Sequence, residues 1–244
     1  MRMNGFQTAG YGISAQDRAS TIGKKIANST VGKIIRLFAG GSSPPRNVAA
    51  LAAVTAALVL GAPSAALACD ASKHLAARHT PAHRRAPLAV GDSVMLGAAD
   101  RLARAGFEVD ARGCRQMSAG LAILRARRRA GTLPRVVIVA LGTNWVVTRH
   151  DIRRALAIVG SRRLLVLMTP RELGGGSGSD ARVERDAGRR HPRRIAVADW
   201  VRVSAGHSSW FAGDGIHLGA GGVAGMVRLL RPYVKAGPPE RPPC

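Results

Sequence analysis

The sequence predicts an α/β domain, a three-layer α/β/α sandwich around a five-stranded parallel sheet. Three observations carry this. Short apolar runs alternate with helical patterns five times between Leu88 and Val234. The connections between successive runs are at least about ten residues long, as parallel pairing requires. The run Val136 to Leu141 is apolar throughout, as in a strand covered on both faces.

The elements follow in order. Leu88 to Val90 reads as a short buried strand, and Val94 to Ala105 as a helix with its apolar residues at helical spacing. Phe107 to Asp110 is a second strand, and Met117 to Ala130 a helix that stops at Gly131. Val136 to Leu141 is the third strand, and Asp151 to Val159 the next helix. Leu164 to Met168 forms a fourth strand, closed by Thr169-Pro170. Gly174 to Gly178 is a glycine-rich loop. Asp180 to Arg190 is a helix, Ile195 to Ala198 the fifth strand and Ala220 to Val234 the last helix.

The 244 residues are 46% hydrophobic but only 4% aromatic, enough for one core built from Ala, Val and Leu. Such a domain is expected to fold without disulfide support. Cys69, Cys114 and Cys244 have no metal-binding spacing, so no metal or other cofactor is expected.

The domain is preceded by a different kind of sequence. Residues 1–46 are basic and polar, Val48 to Leu60 are apolar apart from Thr55, and Ala66 and Ala68 supply an A-x-A cleavage pattern. Residues 1–68 therefore read as an export signal or, extended past Leu60, an N-terminal membrane anchor. Cys69 directly after Ala68 also suggests a lipoprotein. A linker at 69–86, a domain at 87–235 and a Pro-rich tail at 236–244 complete the expected organisation. The product is secreted or held at the outer face of a membrane.

Net charge is +23, and removing the seven basic and one acidic residue of the first 68 still leaves +17 on the rest. The arginines are dispersed, which suits an anionic envelope surface better than a nucleic-acid groove. Neither zinc-finger spacing nor an RNA-binding aromatic motif is present, so no nucleic-acid partner is expected.

In a parallel sheet, ligands bind beyond the carboxyl ends of the strands. After the first strand comes Gly91-Asp92-Ser93-Val94-Met95-Leu96-Gly97, with Ser93 at a helix N-terminus: a nucleophile beside unpaired N–H groups, or simply a cap. After the third comes Gly142-Thr143-Asn144, an oxyanion donor or a turn residue. Ahead of the last helix, Asp214 and His217 lie three apart, which lets a carboxylate orient an imidazole toward a serine. A surface His in a polar loop is the plainer reading.

These blocks, in this order and spacing, resemble the SGNH hydrolases, also called GDSL-like esterases. The similarity extends from about Pro87 to Val234 and is strongest to bacterial domains found alone or attached to membrane acyltransferases. An Arg-Gln pair follows the second strand in those domains and is matched by Arg115-Gln116. The resemblance implies a flavodoxin-like sandwich with Ser93 as nucleophile, His217 as base and Asp214 as its orienter. It implies an oxyanion hole from Ser93, Asn144 and a backbone N–H of Gly113 or Cys114, where the family usually has Gly. Cys114 could equally be a small core residue. Gln116, Trp145 and Trp210 are candidate substrate contacts, and both tryptophans also suit a core.

The expected activity is hydrolysis of acyl esters, acetyl foremost, on a small molecule or envelope glycan through an acyl-Ser93 intermediate. Transfer of the acyl group to a sugar hydroxyl would use the same site. A non-catalytic envelope-binding module and a metal-dependent phosphohydrolase using Asp92, Asp214 and His217 are the readings from other classes.

Overall fold

The computed structural model describes residues 69–79, 85–172 and 178–235. The expected targeting segment, the Pro-rich tail and most of the glycine loop at 174–178 lie outside these residues. Among the described residues, no helix is long and apolar enough to cross a membrane.

The elements are β1 (Ser72–Leu75), β2 (Leu88–Gly91), α1 (Ser93–Arg104), β3 (Glu108–Arg112), α2 (Met117–Arg129), β4 (Val136–Ala140), α3 (Arg149–Val159), β5 (Leu164–Met168), α4 (Ser179–Arg190), β6 (Ile195–Ala198), α5 (Trp200–Val203), a 3-10 turn (Ser208–Trp210), α6 (Ala220–Leu230) and α7 (Pro232–Lys235). The strands form one sheet in the order β1-β3-β2-β4-β5-β6. Five pair in parallel, with Leu88 of β2 opposite both Glu108 of β3 and Val137 of β4.

The two faces of the sheet bury different side chains, because successive residues of a strand point opposite ways. Ala89, Val109, Ile138, Ala140, Val166 and Met168 pack with Met95 and Leu102 of α1 and Met226 and Leu230 of α6. Leu88, Val90, Val137, Val139, Leu165 and Leu167 pack with Leu121 and Leu124 of α2, Ile152 and Leu156 of α3 and Ala187 of α4. Those are the three layers. The link from β2 to α1 is tight: a Cβ on Gly91 would stand 2.4 Å from the Cβ of Met95, so only glycine fits where the chain turns into the helix.

The structure corrects the sequence reading in three places. The sheet has six strands, not five, because Ser72–Leu75 in the expected linker runs antiparallel along β3 as an edge strand. Its exposed, polar composition carries little strand signal. Cys69 and Cys114 form a disulfide, so the domain is crosslinked after all. Finally, the last helix is interrupted at Pro232, which lacks an N–H and cannot continue the ladder, leaving α6 and the short α7.

Candidate active site

Ser93 opens α1 at the carboxyl end of β2. The cap of that helix is its neighbour: Asp92 Oδ1 accepts the Val94 N–H at 3.0 Å. The Ser93 hydroxyl is thereby left for another partner, and that partner is His217, whose Nε2 lies 3.0 Å from Ser93 Oγ across 124 residues of sequence.

His217 stands on the loop between the 3-10 turn and α6. Pairing of Phe211 with Leu218, together with hydrogen bonds from Ala212 N–H to the His217 carbonyl (2.8 Å) and Gly219 N–H to the Trp210 carbonyl (2.8 Å), shapes that loop as a small hairpin. Inside it, Asp214 Oδ2 lies 2.6 Å from His217 Nδ1, and Oδ1 accepts the amides of Ile216 (2.9 Å) and His217 (3.0 Å). The hydrogen bond from His217, then the amide of Ile216, pull the Asp214 carboxyl down to about 2. An ionised carboxylate can only accept, so Nδ1 carries a proton, and in the neutral imidazole Nε2 then faces the Ser93 hydroxyl with its lone pair. Both partners are open to solvent, His217 with 51% and Asp214 with 35% of the side chain exposed.

Three N–H donors in the blocks that follow β2, β3 and β4 have no hydrogen-bond partner among the described residues: the amides of Ser93 and Cys114 and the buried Nδ2 of Asn144. Buried donors are nearly always paired, so an orphan of this kind needs a reason. The Gly113 N–H is engaged elsewhere, donating to the Ala71 carbonyl at 2.8 Å. Of the two, Cys114 keeps the unpaired N–H, and it holds the left-handed backbone (φ +53) that glycine adopts more easily.

Asn144 is held by its loop. Gly142 has φ +135 and packs against Pro170, where a Cβ would come within 2.6 Å of the ring. At the far end, the Val147 N–H donates to buried Asp180 Oδ2 at 2.9 Å.

The Arg-Gln pair divides. Arg115 is buried and donates to the carbonyls of Gly91 (3.1 Å) and Asp110 and to Asp110 Oδ1 (2.6 Å), bracing the second block against the strand that carries the serine. Gln116 is exposed at the start of α2. The tryptophans divide as well. Trp145 is 69% exposed beside Asn144. Trp210 instead stacks between Trp200 (5.9 Å) and His207 (4.0 Å) and fills the space over Gly221 and Gly225 of α6, so it belongs to the packing of the hairpin and not to an open platform.

One contributor, Arg171, escaped the sequence reading, and a second, Asp92, was named there only as a possible metal ligand. Arg171, just past β5, donates to the Gly215 carbonyl (3.0 Å) and Ser204 Oγ (2.7 Å) and lies over Phe211 at 4.1 Å, propping the Asp214–His217 loop. Its position directly after Thr169-Pro170, at a strand's carboxyl end, was the available signal. Asp92 caps α1 instead, and burial pushes its carboxyl up to about 6, against the opposing pull of the Val94 amide and of Thr143. Among the described residues, no group of three or more His, Cys, Asp or Glu is arranged to hold a metal.

A serine, a base and an orienter in hydrogen-bonded series, with unpaired donors beside them, can generate an alkoxide-like nucleophile and receive a tetrahedral oxyanion. No family model matches the chain. It is 26% identical over 152 residues to the O-acetyltransferase OatA of Staphylococcus aureus, 60% of this chain and 24% of that protein. It is 28% identical over 145 residues to the peptidoglycan O-acetyltransferase OatA of Listeria monocytogenes, 59% of this chain and 23% of that protein. The chain thus matches about a quarter of the length of these relatives. Among solved structures, the C-terminal catalytic domain of Streptococcus pneumoniae peptidoglycan O-acetyltransferase A, bearing a methylsulfonyl adduct, superposes with a TM-score of 0.51 at 23% identity, over 61% of this chain and 91% of that one.

Proposed function

From a chain of SGNH-hydrolase type, we propose an exported serine esterase that removes acetyl groups from cell-envelope glycans, with Ser93, His217 and Asp214 as its catalytic residues. The observation that carries this is the unbroken series from Ser93 Oγ to His217 Nε2 (3.0 Å) and from Nδ1 to Asp214 (2.6 Å).

The steps follow from the geometry. As Ser93 Oγ attacks the ester carbonyl, its proton passes to His217 Nε2, and the new imidazolium is stabilised by Asp214. The oxyanion is received by the Ser93 and Cys114 amides and Asn144 Nδ2. Collapse expels the sugar alkoxide, which takes the proton from His217 and leaves as an alcohol. Water then gives a proton to His217 while attacking acetyl-Ser93, and acetate departs as the serine recovers its proton.

A second reading, transfer of the acetyl group to a sugar hydroxyl, is favoured by the names of the relatives and by the exposure of His217, which an acceptor can reach as readily as water. A glycan substrate is supported by exposed Trp145, a flat apolar face next to the oxyanion donor. An anionic one is supported by a groove of about 890 Å³ between α1 and α6, floored by Val223 and Val227 and rimmed by Arg101, Arg104, Arg228 and Arg231. Its acid, Asp100, is engaged by Lys73. Export is supported by the pattern of residues 1–68 and by a disulfide, a bond that persists in oxidising compartments.

The test is hydrolysis of p-nitrophenyl acetate by the full chain, with Ser93→Ala and His217→Ala alongside and with or without a chito-oligosaccharide acceptor. Release of acetate that both substitutions abolish supports the esterase. Acetylated sugar as the main product supports the transferase, and a folded wild type that does neither rejects both.

A further inference from the structure

The second block of the site is built as a clamp. Residues 69–72 run beside residues 112–114: Cys69 and Cys114 are bonded with their Cα atoms 4.9 Å apart, the Gly113 N–H donates to the Ala71 carbonyl (2.8 Å), and Arg112 Nε donates to the Cys69 carbonyl (3.3 Å). Register continues into the sheet, where Ser72 pairs with Arg112. From the other side, Arg115 is anchored to Gly91 and Asp110. Between these anchors Cys114 is, among the described residues, the one non-glycine with positive φ. An L-residue persists in that conformation only where its surroundings hold it.

We propose that Cys69 is a positioning residue for catalysis: its bond to Cys114 holds the left-handed turn that presents the Cys114 N–H to the oxyanion. The inference rests on the acyl-Ser93 reading. Sequence offered Cys69 as a lipid-attachment site and Cys114 as a departure from a glycine; the structure joins them into one device. A glycine in the second block reaches the left-handed region unaided. Here a cysteine occupies it, and a covalent tether from the segment just past the A-x-A pattern supplies what glycine would have. The bond forms when both thiols give up their protons and two electrons to an exchanging disulfide, which departs as two thiols. Maturation of the site is thereby coupled to delivery of the chain into a compartment containing such an oxidant.

The experiment uses the full chain in a Cys244→Ser background, so that a single cysteine pair is present. Three forms are compared: oxidised, reduced by dithiothreitol (which leaves as its cyclic disulfide), and Cys69→Ser. Each is assayed at a temperature where circular dichroism finds it folded. Two readouts are taken, kcat and KM on p-nitrophenyl acetate and the rate of Ser93 sulfonylation by methanesulfonyl fluoride. The expected result is a kcat lower by about 10- to 100-fold with KM nearly unchanged, sulfonylation slowed in parallel, and recovery on re-oxidation, since one oxyanion donor is worth roughly 10²–10³ when removed entirely. Unchanged kcat in the folded, reduced enzyme overturns the proposal. So does unfolding of both reduced forms, because the bond then supports the whole domain instead of the turn. An oxidised wild type without activity defeats the acyl-Ser93 reading itself, a separate outcome.

Discussion

Asp214 holds His217 twice, through the ring at Nδ1 (2.6 Å) and through the backbone amide (3.0 Å), so one carboxylate fixes both the tautomer and the position of the imidazole. Asp214→Asn keeps the shape but turns an N–H toward Nδ1, which favours the wrong tautomer. The expected outcome is a loss in kcat of at least about 10²-fold on p-nitrophenyl acetate with little change in KM. Folding lowers this carboxyl to about 2, below its unfolded value. Its contribution to stability is therefore in place above that unfolded value and is lost as pH falls through about 4 toward 2, a decline that thermal melts of Asp214→Asn should lack.

Asn144 Nδ2 is buried without a partner, a costly state for the resting enzyme unless the group is kept for the transition state. Asn144→Ala is expected to lower kcat by about 10²–10³-fold while leaving the melting temperature unchanged or slightly raised. Steady-state kinetics and a melt on the same preparation check both halves, and a stability loss with normal kcat would make Asn144 a loop residue only.

Periodicity made the central fold legible. The wholly apolar β4 and β5 and the helices before the last one emerge within a residue or two of their sequence-based limits, because each buries a face and must advertise it in composition. β1 carries no such signal, being exposed and polar, held by backbone pairing to β3 and by the neighbouring crosslink. Ser93, Asn144, Asp214 and His217 were legible as blocks at the ends of elements, and the structure joins Ser93, His217 and Asp214 in one hydrogen-bonded series. What stayed hidden depends on distance in space: the Cys69–Cys114 bond, the spending of the Gly113 N–H on Ala71, and the support of the His217 loop by Arg171. Trp210 shows the limit of adjacency in sequence, since it lies next to the hairpin and still serves its packing.

Asp92 makes stability fall with rising pH. Its carboxyl is raised by burial to about 6, so between the unfolded value near 4 and that figure the native state binds the extra proton; the stability so gained is complete below pH 4 and is lost as pH rises through 6. Asp92→Asn can still cap α1 but has no charge to bury. Relative to wild type it should gain about 1–3 kcal/mol between pH 4 and pH 7, the span such a shift represents. Urea denaturation at both pH values measures it, and a difference that does not grow with pH contradicts the account.

The arginine-rimmed groove makes a prediction about substrate, not chemistry. Arg101, Arg104, Arg228 and Arg231 lie toward the far ends of α1 and α6, and Arg101 is eight residues, or about 12 Å of helix, from Ser93. Replacing Arg101 and Arg228 with Glu should leave p-nitrophenyl acetate turnover intact. Affinity for an acetylated polyuronate should fall, and its dependence on salt should weaken, because fewer charges are neutralised on binding. Equal affinity of wild type and variant for that polymer would leave the groove without a part in recognition.

The two tryptophans near the site should respond in opposite ways. Trp145 is 69% exposed and followed by Val146 at 56%, so its indole contributes almost nothing to the core. Trp145→Ala should leave the melting temperature within a degree or so and p-nitrophenyl acetate kinetics unchanged, while KM for an acetylated glycan rises several-fold through loss of a stacking face. Trp210 packs on Trp200 and His207 and over glycines that leave room for its rings. Trp210→Ala opens a cavity there and should cost about 2–4 kcal/mol by chemical denaturation. Because Trp210 carries the carbonyl that accepts the Gly219 N–H at the neck of the His217 hairpin, the loosened loop should lower kcat on the small ester as well. If instead Trp145→Ala destabilises the fold, or Trp210→Ala raises only the glycan KM, the assignment of one ring to the surface and the other to the packing is reversed.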